Sequence, residues 1–116
     1  MLRPTVGIIG VGTVGTTFAH LLYQKGYAIN AIFNRTLGKA NILAPRVDSI
    51  AVTELSEVAS QCDLIILTVS DDAIASVAGS LAEYITPDHA VIHVSGAAGM
   101  DILEPIAKGG AMVGGL

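Results

Sequence analysis

Cysteine occurs once in these 116 residues, at Cys62. A single thiol excludes an internal disulfide and a cysteine-based metal centre. Charge is scarce too. Charged residues make up 14% of the chain, and ten acids against six bases leave a net charge of −4. With no basic footprint, nucleic acid is not expected as a partner. No apolar run reaches the roughly 18 residues that cross a membrane. Met1-Leu2-Arg3-Pro4 leads directly into an apolar stretch, leaving no room for a signal peptide. A cytoplasmic protein is expected. Internal repeats, low-complexity tracts and linker-like segments are lacking, so the chain reads as one domain, 1–116.

What is abundant is apolar surface: 52% of the residues are hydrophobic. So apolar a balance in so short a chain suggests surface that a second domain or a partner subunit covers, and a homodimer is one such arrangement. The expected exposed patch lies near the carboxyl edge of the sheet or the last strand.

Thr5-Val6-Gly7-Ile8-Ile9 is an apolar run of strand length. It is followed by Gly10-Val11-Gly12-Thr13-Val14-Gly15 and then by a helix-like stretch from Thr16 to Lys25. Taken alone, such a glycine motif is only a glycine-rich turn. Strand, motif and helix in this order form the arrangement that receives the diphosphate of a dinucleotide. Gly10 permits the tight turn, Gly12 lets backbone approach phosphate, and Gly15 lets the helix lie close to the strand. The unpaired N–H groups of the helix start then face the anion.

Ala28 to Phe33 reads as the second strand and ends at Asn34-Arg35-Thr36, with Lys39 shortly after. An acid at this tip would hydrogen-bond the ribose 2′-hydroxyl of NAD. No acid is present. A carboxylate would repel a 2′-phosphate, whereas a guanidinium pairs with it bidentately and stacks on adenine. Thr36 adds a hydroxyl. NADP is therefore expected over NAD.

Further along, the first helix carries Val14, Phe18, Leu21 and Leu22 as its expected buried stripe, with His20 on the solvent side. Leu37 to Ala44 reads as a short helix that Pro45 ends. Ser49 to Val52 reads as a short strand. Thr53 is the expected cap of a helix from Glu54 to Gln61. Cys62 reads as a small buried hydrophobe.

Asp63 to Val69 is a nearly continuous apolar strand, as expected of a parallel strand covered on both faces. Ser70-Asp71-Asp72 starts the next helix. The two aspartates read as acids at a positive helix end rather than as metal ligands, because two neighbours make too few ligands. Ile74, Val77, Ala78, Leu81 and Ile85 form that helix's buried stripe. Val69 and Ser70 lie at the carboxyl end of the strand, where ligands of such sheets bind.

Ala90 to Val94 reads as the fifth strand and delivers Ser95-Gly96-Ala97-Ala98-Gly99 to the same edge. His93 and Ser95 are two residues apart and share a sheet face. Ser95 reads as a contact to nicotinamide or substrate. His93 reads as a hydrogen-bonded buried histidine, with proton donor as the alternative. His89 lies in a turn and reads as surface. Met100 to Lys108 reads as a helix broken or kinked at Pro105, and Ala111 to Val113 as a last strand before a glycine turn.

On these residues the chain resembles the NADP-binding Rossmann module of the 6-phosphogluconate dehydrogenase-like superfamily. That group includes β-hydroxyacid dehydrogenases, pyrroline-5-carboxylate reductases and deazaflavin-dependent NADP reductases. The marks are the glycine motif, Asn34-Arg35-Thr36, and Thr68-Val69-Ser70-Asp71-Asp72-Ala73-Ile74. His93-Val94-Ser95-Gly96-Ala97-Ala98-Gly99 and Leu103 resemble a subgroup whose module precedes an all-helical domain of unknown function. The resemblance implies an α/β fold: a doubly wound parallel sheet of order 3-2-1-4-5-6 in three layers. It implies cofactor contacts at Gly10, Gly12, Thr13, Val14, Asn34, Arg35, Val69, Ser70 and Ser95. It also implies that the chain is the N-terminal part of an NADP-dependent oxidoreductase, whose catalytic lysine and polar partner lie beyond it. The fragment alone is then expected to bind NADP(H) without turnover, and the substrate is unknown. A non-catalytic dinucleotide-sensing module is the alternative.

Overall fold

The sheet is built from short apolar strands whose residues alternate between two faces. In the computed structural model, residues 3–94 and 100–115 are described. The first strand, β1 (Val6–Ile9), is buried throughout and leads to helix α1 (Thr13–Gln24). Then follow β2 (Ile29–Phe33), α2 (Leu37–Leu43), β3 (Ala51–Val52), α3 (Leu55–Gln61), β4 (Leu64–Leu67) and α4 (Asp71–Leu81). The chain continues through β5 (Ala90–His93), α5 (Glu104–Ala107) and β6 (Met112–Gly115). All the pairings are parallel, in the order β3-β2-β1-β4-β5-β6. This is the expected doubly wound order.

Burial follows the alternation. Val6, Ile8, Ile32 and Ile66 point to one face and pack with Ala19 of α1 and Ala40 and Leu43 of α2. Ile9, Ile65, Leu67 and Val91 point to the other and pack with Val58 of α3, Ile74, Ala78 and Leu81 of α4, and Ile106 of α5. Helices on both faces make three layers. They also explain why β4 is apolar at every position.

Several expectations are corrected. The stripe of α1 is rotated: Val14 and Leu21 are 48% and 49% exposed, Phe18 and Leu22 are half-buried, and Gly15 and Ala19 face the sheet. The helix lies so close to β1 that only small residues fit beneath it. One position along a helix is a rotation of about 100°, enough to turn the larger side chains outward. His20 is half-buried rather than on the solvent side.

The α-helix α2 does end just before Pro45, but the chain continues as a tighter helical turn. Pro45 occupies the first turn of this 3-10 segment, Ala44–Val47, where a missing N–H costs nothing. Asp48, in the left-handed conformation (φ 53°), closes that turn. The stretch Met100 to Lys108 is divided, as expected, beside Pro105: a 3-10 turn, Met100–Leu103, gives way to α5, whose first turn holds the proline. The cap of α3 is Glu54, not Thr53. Glu54 and Glu57 form a reciprocal capping box, and Thr53 donates its N–H to Glu57 Oε2 at 3.1 Å.

His89 is half-buried and bonded on both ring nitrogens rather than a free surface residue. Its Nδ1 accepts the Thr86 N–H at 2.9 Å, and its Nε2 lies 2.7 Å from the carbonyl oxygen of Ala59. It thus ties the turn before β5 to α3. Gly114 and Gly115 belong to β6, opposite Ile92 and His93, rather than to a turn. A Cβ on Gly114 would lie 3.2 Å from Ile92 Cγ2, so a larger residue would crowd that neighbour. Met112 of the same strand is 76% exposed. Among the described residues, no helix is long and apolar enough to cross a membrane.

Candidate functional site

Because the strands are parallel, β1, β2 and β4 deliver their carboxyl ends to one edge. Gly10 turns the chain out of β1 with φ +107°, a conformation that side chains disfavour. A Cβ there would also lie 2.8–2.9 Å from backbone atoms of Thr68 and Val69. A Cβ on Gly15 would overlap the Gly10 carbonyl oxygen and the Thr68 hydroxyl. Gly12 is different: among the described residues, a Cβ there meets no atom within 4 Å. Two of the glycines are thus required by the fold. The third faces open space, into which a ligand can approach the backbone.

The turn is held from both sides. From β4, the Thr68 hydroxyl donates to the Gly10 carbonyl at 2.7 Å, and the Thr68 N–H donates to Ile9 O at 2.8 Å. From β2, Phe33 O accepts the Gly10 N–H at 2.8 Å. Asn34 then reaches across. Its Oδ1 accepts the Val11 N–H at 2.9 Å, and its Nδ2 donates to Thr36 O at 2.9 Å. Helix α1 begins at this point without a side-chain cap on Gly12. The N–H groups of Thr13, Val14 and Gly15 precede its first intrahelical bond, Thr16 N–H to Gly12 O.

A cleft of about 620 Å³ opens beside the turn. It brings together Gly10, Gly12, Asn34, Arg35, Thr36, Val69 and Ser70 from the expected set. Thr13, Val14 and Gly15 are outside its lining: Thr13 and Val14 are exposed, and Gly15 is buried behind the turn. His93 is 2% exposed at the end of β5 and shares a face with Val91 rather than lining the cleft. Ser95 and residues 96–99 lie outside the described residues.

The lining also contains residues that sequence reasoning missed. Thr68 is one; its signal was a hydroxyl placed directly after four apolar strand residues. Asp72, Ser76 and Ser80 of α4 are others. They recur every four residues, opposite the buried stripe of Ile74, Ala78 and Leu81, so this polar face was readable from spacing. Phe33, Leu55 and Val77 supply apolar wall.

The charge is asymmetric. Arg35 and Lys39 are exposed at one end of the cleft, and among the described residues neither forms an ion pair. The one ion pair among those residues, Lys108–Glu104 at 3.5 Å, belongs to α5. Asp72 provides an acid in the first turn of α4. Among the described residues, no group of three or more His, Cys, Asp or Glu is placed to hold a metal ion.

A strand, a glycine turn and a helix at the hinge of a doubly wound sheet define a family by shape, and the sequence agrees. The family model described as Rossmann-like domain matches residues 1–115. The chain belongs to the Rossmann-like domain family. Among curated proteins, this Rossmann-like domain is 33% identical over 101 residues to a pyrroline-5-carboxylate reductase of Methanobrevibacter smithii, covering 84% of this chain and 39% of that one. Among solved structures, it matches a protein from Bacteroides fragilis described as an NADP oxidoreductase. The TM-score is 0.80 with 30% identity, over 86% of this chain and 39% of the other. An imine reductase from Bacillus cereus has a TM-score of 0.81 at 23% identity, over 96% of this chain and 39% of its own, and shares the fold. The Rossmann-like domain spans about two fifths of the length of each of these relatives.

Proposed function

We propose that this Rossmann-like domain binds NADP(H) and serves as the cofactor-binding part of a reductase. One observation carries the reading: an open glycine turn and a cationic corner without an ion pair among the described residues line the same cleft. The residues present fit such a group. Gly12 leaves room for a diphosphate against backbone N–H groups, and the amino end of α1 supplies favourable partial charge. Arg35, Thr36 and Lys39 offer two cations and a hydroxyl to a 2′-phosphate. Val69, Val77 and Leu55 provide apolar surface for a ring.

When bound, the nicotinamide supplies hydride chemistry. The contribution of this chain is to bind, to orient and to discriminate by charge. The names of the relatives favour reduction of an unsaturated carbon–nitrogen bond as the reaction class, with the substrate gripped by parts that those longer proteins possess. The test is titration with NADPH and NADH by calorimetry, followed by incubation of the NADPH complex with a cyclic imine. Tighter NADPH binding without oxidation of the cofactor is expected. Equal affinities would overturn the 2′-phosphate assignment. Efficient imine reduction by these 116 residues would overturn the division of labour.

A further inference from the structure

The tip of β2 contains a residue whose job differs from that of its neighbours. Arg35 and Thr36 are exposed and face the cleft. Asn34 is half-buried, and each end of its amide is engaged with backbone of a different segment. One partner, the Val11 N–H, lies inside the glycine turn. The other, the Thr36 carbonyl, also accepts the Lys39 N–H at 3.2 Å and therefore sits at the start of α2. The regular β1–β2 pairing has already ended: its last rung is Gly10 N–H to Phe33 O. Beyond that point the Asn34 side chain supplies one more rung, made with an amide in place of a peptide.

We infer that Asn34 is a positioning residue that couples the diphosphate end of the cleft to its 2′-phosphate end. This rests on the dinucleotide reading above. The chemistry explains the residue type. Only a primary amide offers an acceptor to Val11 and a donor to Thr36 from one short planar group. Aspartate would satisfy Val11 but set a carboxylate oxygen against the Thr36 carbonyl. Alanine would remove the link between the two segments, leaving each to its other bonds. A ligand ordering the Arg35–Thr36 corner thus also orders the glycine turn, and the two phosphate groups reinforce one another through the protein.

Two probes separate the ends: ADP-ribose, which carries only the diphosphate, and 2′-phospho-ADP-ribose, which carries both groups. Binding is measured by calorimetry to the parent, Arg35→Ala, Asn34→Ala and the double variant, with thermal melts to verify folding. Arg35→Ala is expected to weaken only the 2′-phosphorylated probe, by about tenfold or more. Asn34→Ala is expected to weaken both probes and to shrink the advantage of the 2′-phosphate. In its background, Arg35→Ala should then cost several-fold less than in the parent, the non-additivity expected of coupled neighbours.

Asn34→Asp provides a second variant that keeps the Val11 bond. It should retain most ADP-ribose affinity and lose the 2′-phosphate preference. A third readout is the Val11 amide resonance. Adding 2′-AMP, which cannot reach the diphosphate end, should shift it in the parent but not in Asn34→Ala. If the parent binds both probes and the two substitutions multiply independently, with the Val11 resonance unmoved by 2′-AMP, Asn34 is no coupler and the dinucleotide reading stands. If the parent binds neither probe, the dinucleotide reading fails and this inference fails with it.

Discussion

The carbonyl oxygen of Gly10 occupies the space that a Cβ on Gly15 would need. The Thr68 hydroxyl closes the same space from β4, donating to that carbonyl at 2.7 Å. Helix, turn and strand tip therefore meet without room for one added carbon. Gly12, three residues from Gly15, has no neighbour within 4 Å in the corresponding direction among the described residues.

This contrast separates folding from binding. Gly15→Ala should destabilise the protein by about 1–3 kcal/mol, because backbone rather than a flexible side chain must move. Gly12→Ala should cost about 0.5–1 kcal/mol, the preference of a helix N-cap for glycine over alanine, yet lower dinucleotide affinity by filling the approach to phosphate. Urea unfolding and calorimetric titration of the two variants check both halves. A stable Gly15→Ala protein would refute the packing argument.

Arg35 has no ion-pair partner among the described residues, so Arg35→Ala should leave the melting temperature unchanged. Its expected effect is on ligand: NADP binding weakened by about 1–3 kcal/mol, the scale of a hydrogen bond to a charged group, with NAD binding unaltered. Parallel titrations measure the difference. An equal loss for both cofactors would place Arg35 elsewhere on the ligand.

His89→Ala should cost about 1–2 kcal/mol, since it strips the Thr86 N–H and the Ala59 carbonyl of their shared partner. The acceptor role of Nδ1 leaves the proton on Nε2, where it donates to Ala59. Nitrogen NMR shifts of the imidazole should report that tautomer. Observation of the opposite one would contradict the hydrogen-bond pattern.

Burial raises the Cys62 thiol from its ordinary 9.0 to about 12, with the nearby Asp63 charge acting in the same direction. The folded state therefore holds this proton more tightly than the unfolded chain. The stabilisation from Cys62 is complete below pH 9.0 and is lost progressively as the pH rises toward 12. Denaturant midpoints across that range should fall more steeply for the parent than for Cys62→Ala, compared as changes from each protein's value at pH 8.

The parts of the fold that depend on local pattern were legible in the sequence. The apolar run within residues 63–69 and the stripe Ile74, Val77, Ala78, Leu81, Ile85 point to a strand and a helix. Ile65, Ile66, Leu67, Ile74, Ala78, Leu81 and Ile85 are buried as expected, whereas Val77 is half-buried on the cleft and Ile85 lies beyond the end of α4. The face of α1 was not legible, because it is decided by how near the helix comes to Gly10, a tertiary approach that outweighs the larger side chains. The Thr53 reading failed through local competition: a hydroxyl and a carboxylate were adjacent, and Glu54 had Glu57 to complete its box. His89 was correctly placed in a turn, but its partner Ala59 lies 30 residues earlier. The site shows the same division. Gly10, Arg35 and Ser70 could be placed on the cleft from strand order. The bonds made by Asn34 and Thr68 belong to the meeting of three strand tips and have no local signature.

Six strands running in one direction also place returning turns, such as Thr86–Asp88 before β5, on the opposite rim of the sheet. A strand of four residues separates the two rims by about 13 Å. Dyes, affinity handles or grafted peptides attached at the exposed Asp88 would sit on the quiet end of the molecule. The domain can therefore be anchored or instrumented there while its cleft stays unobstructed.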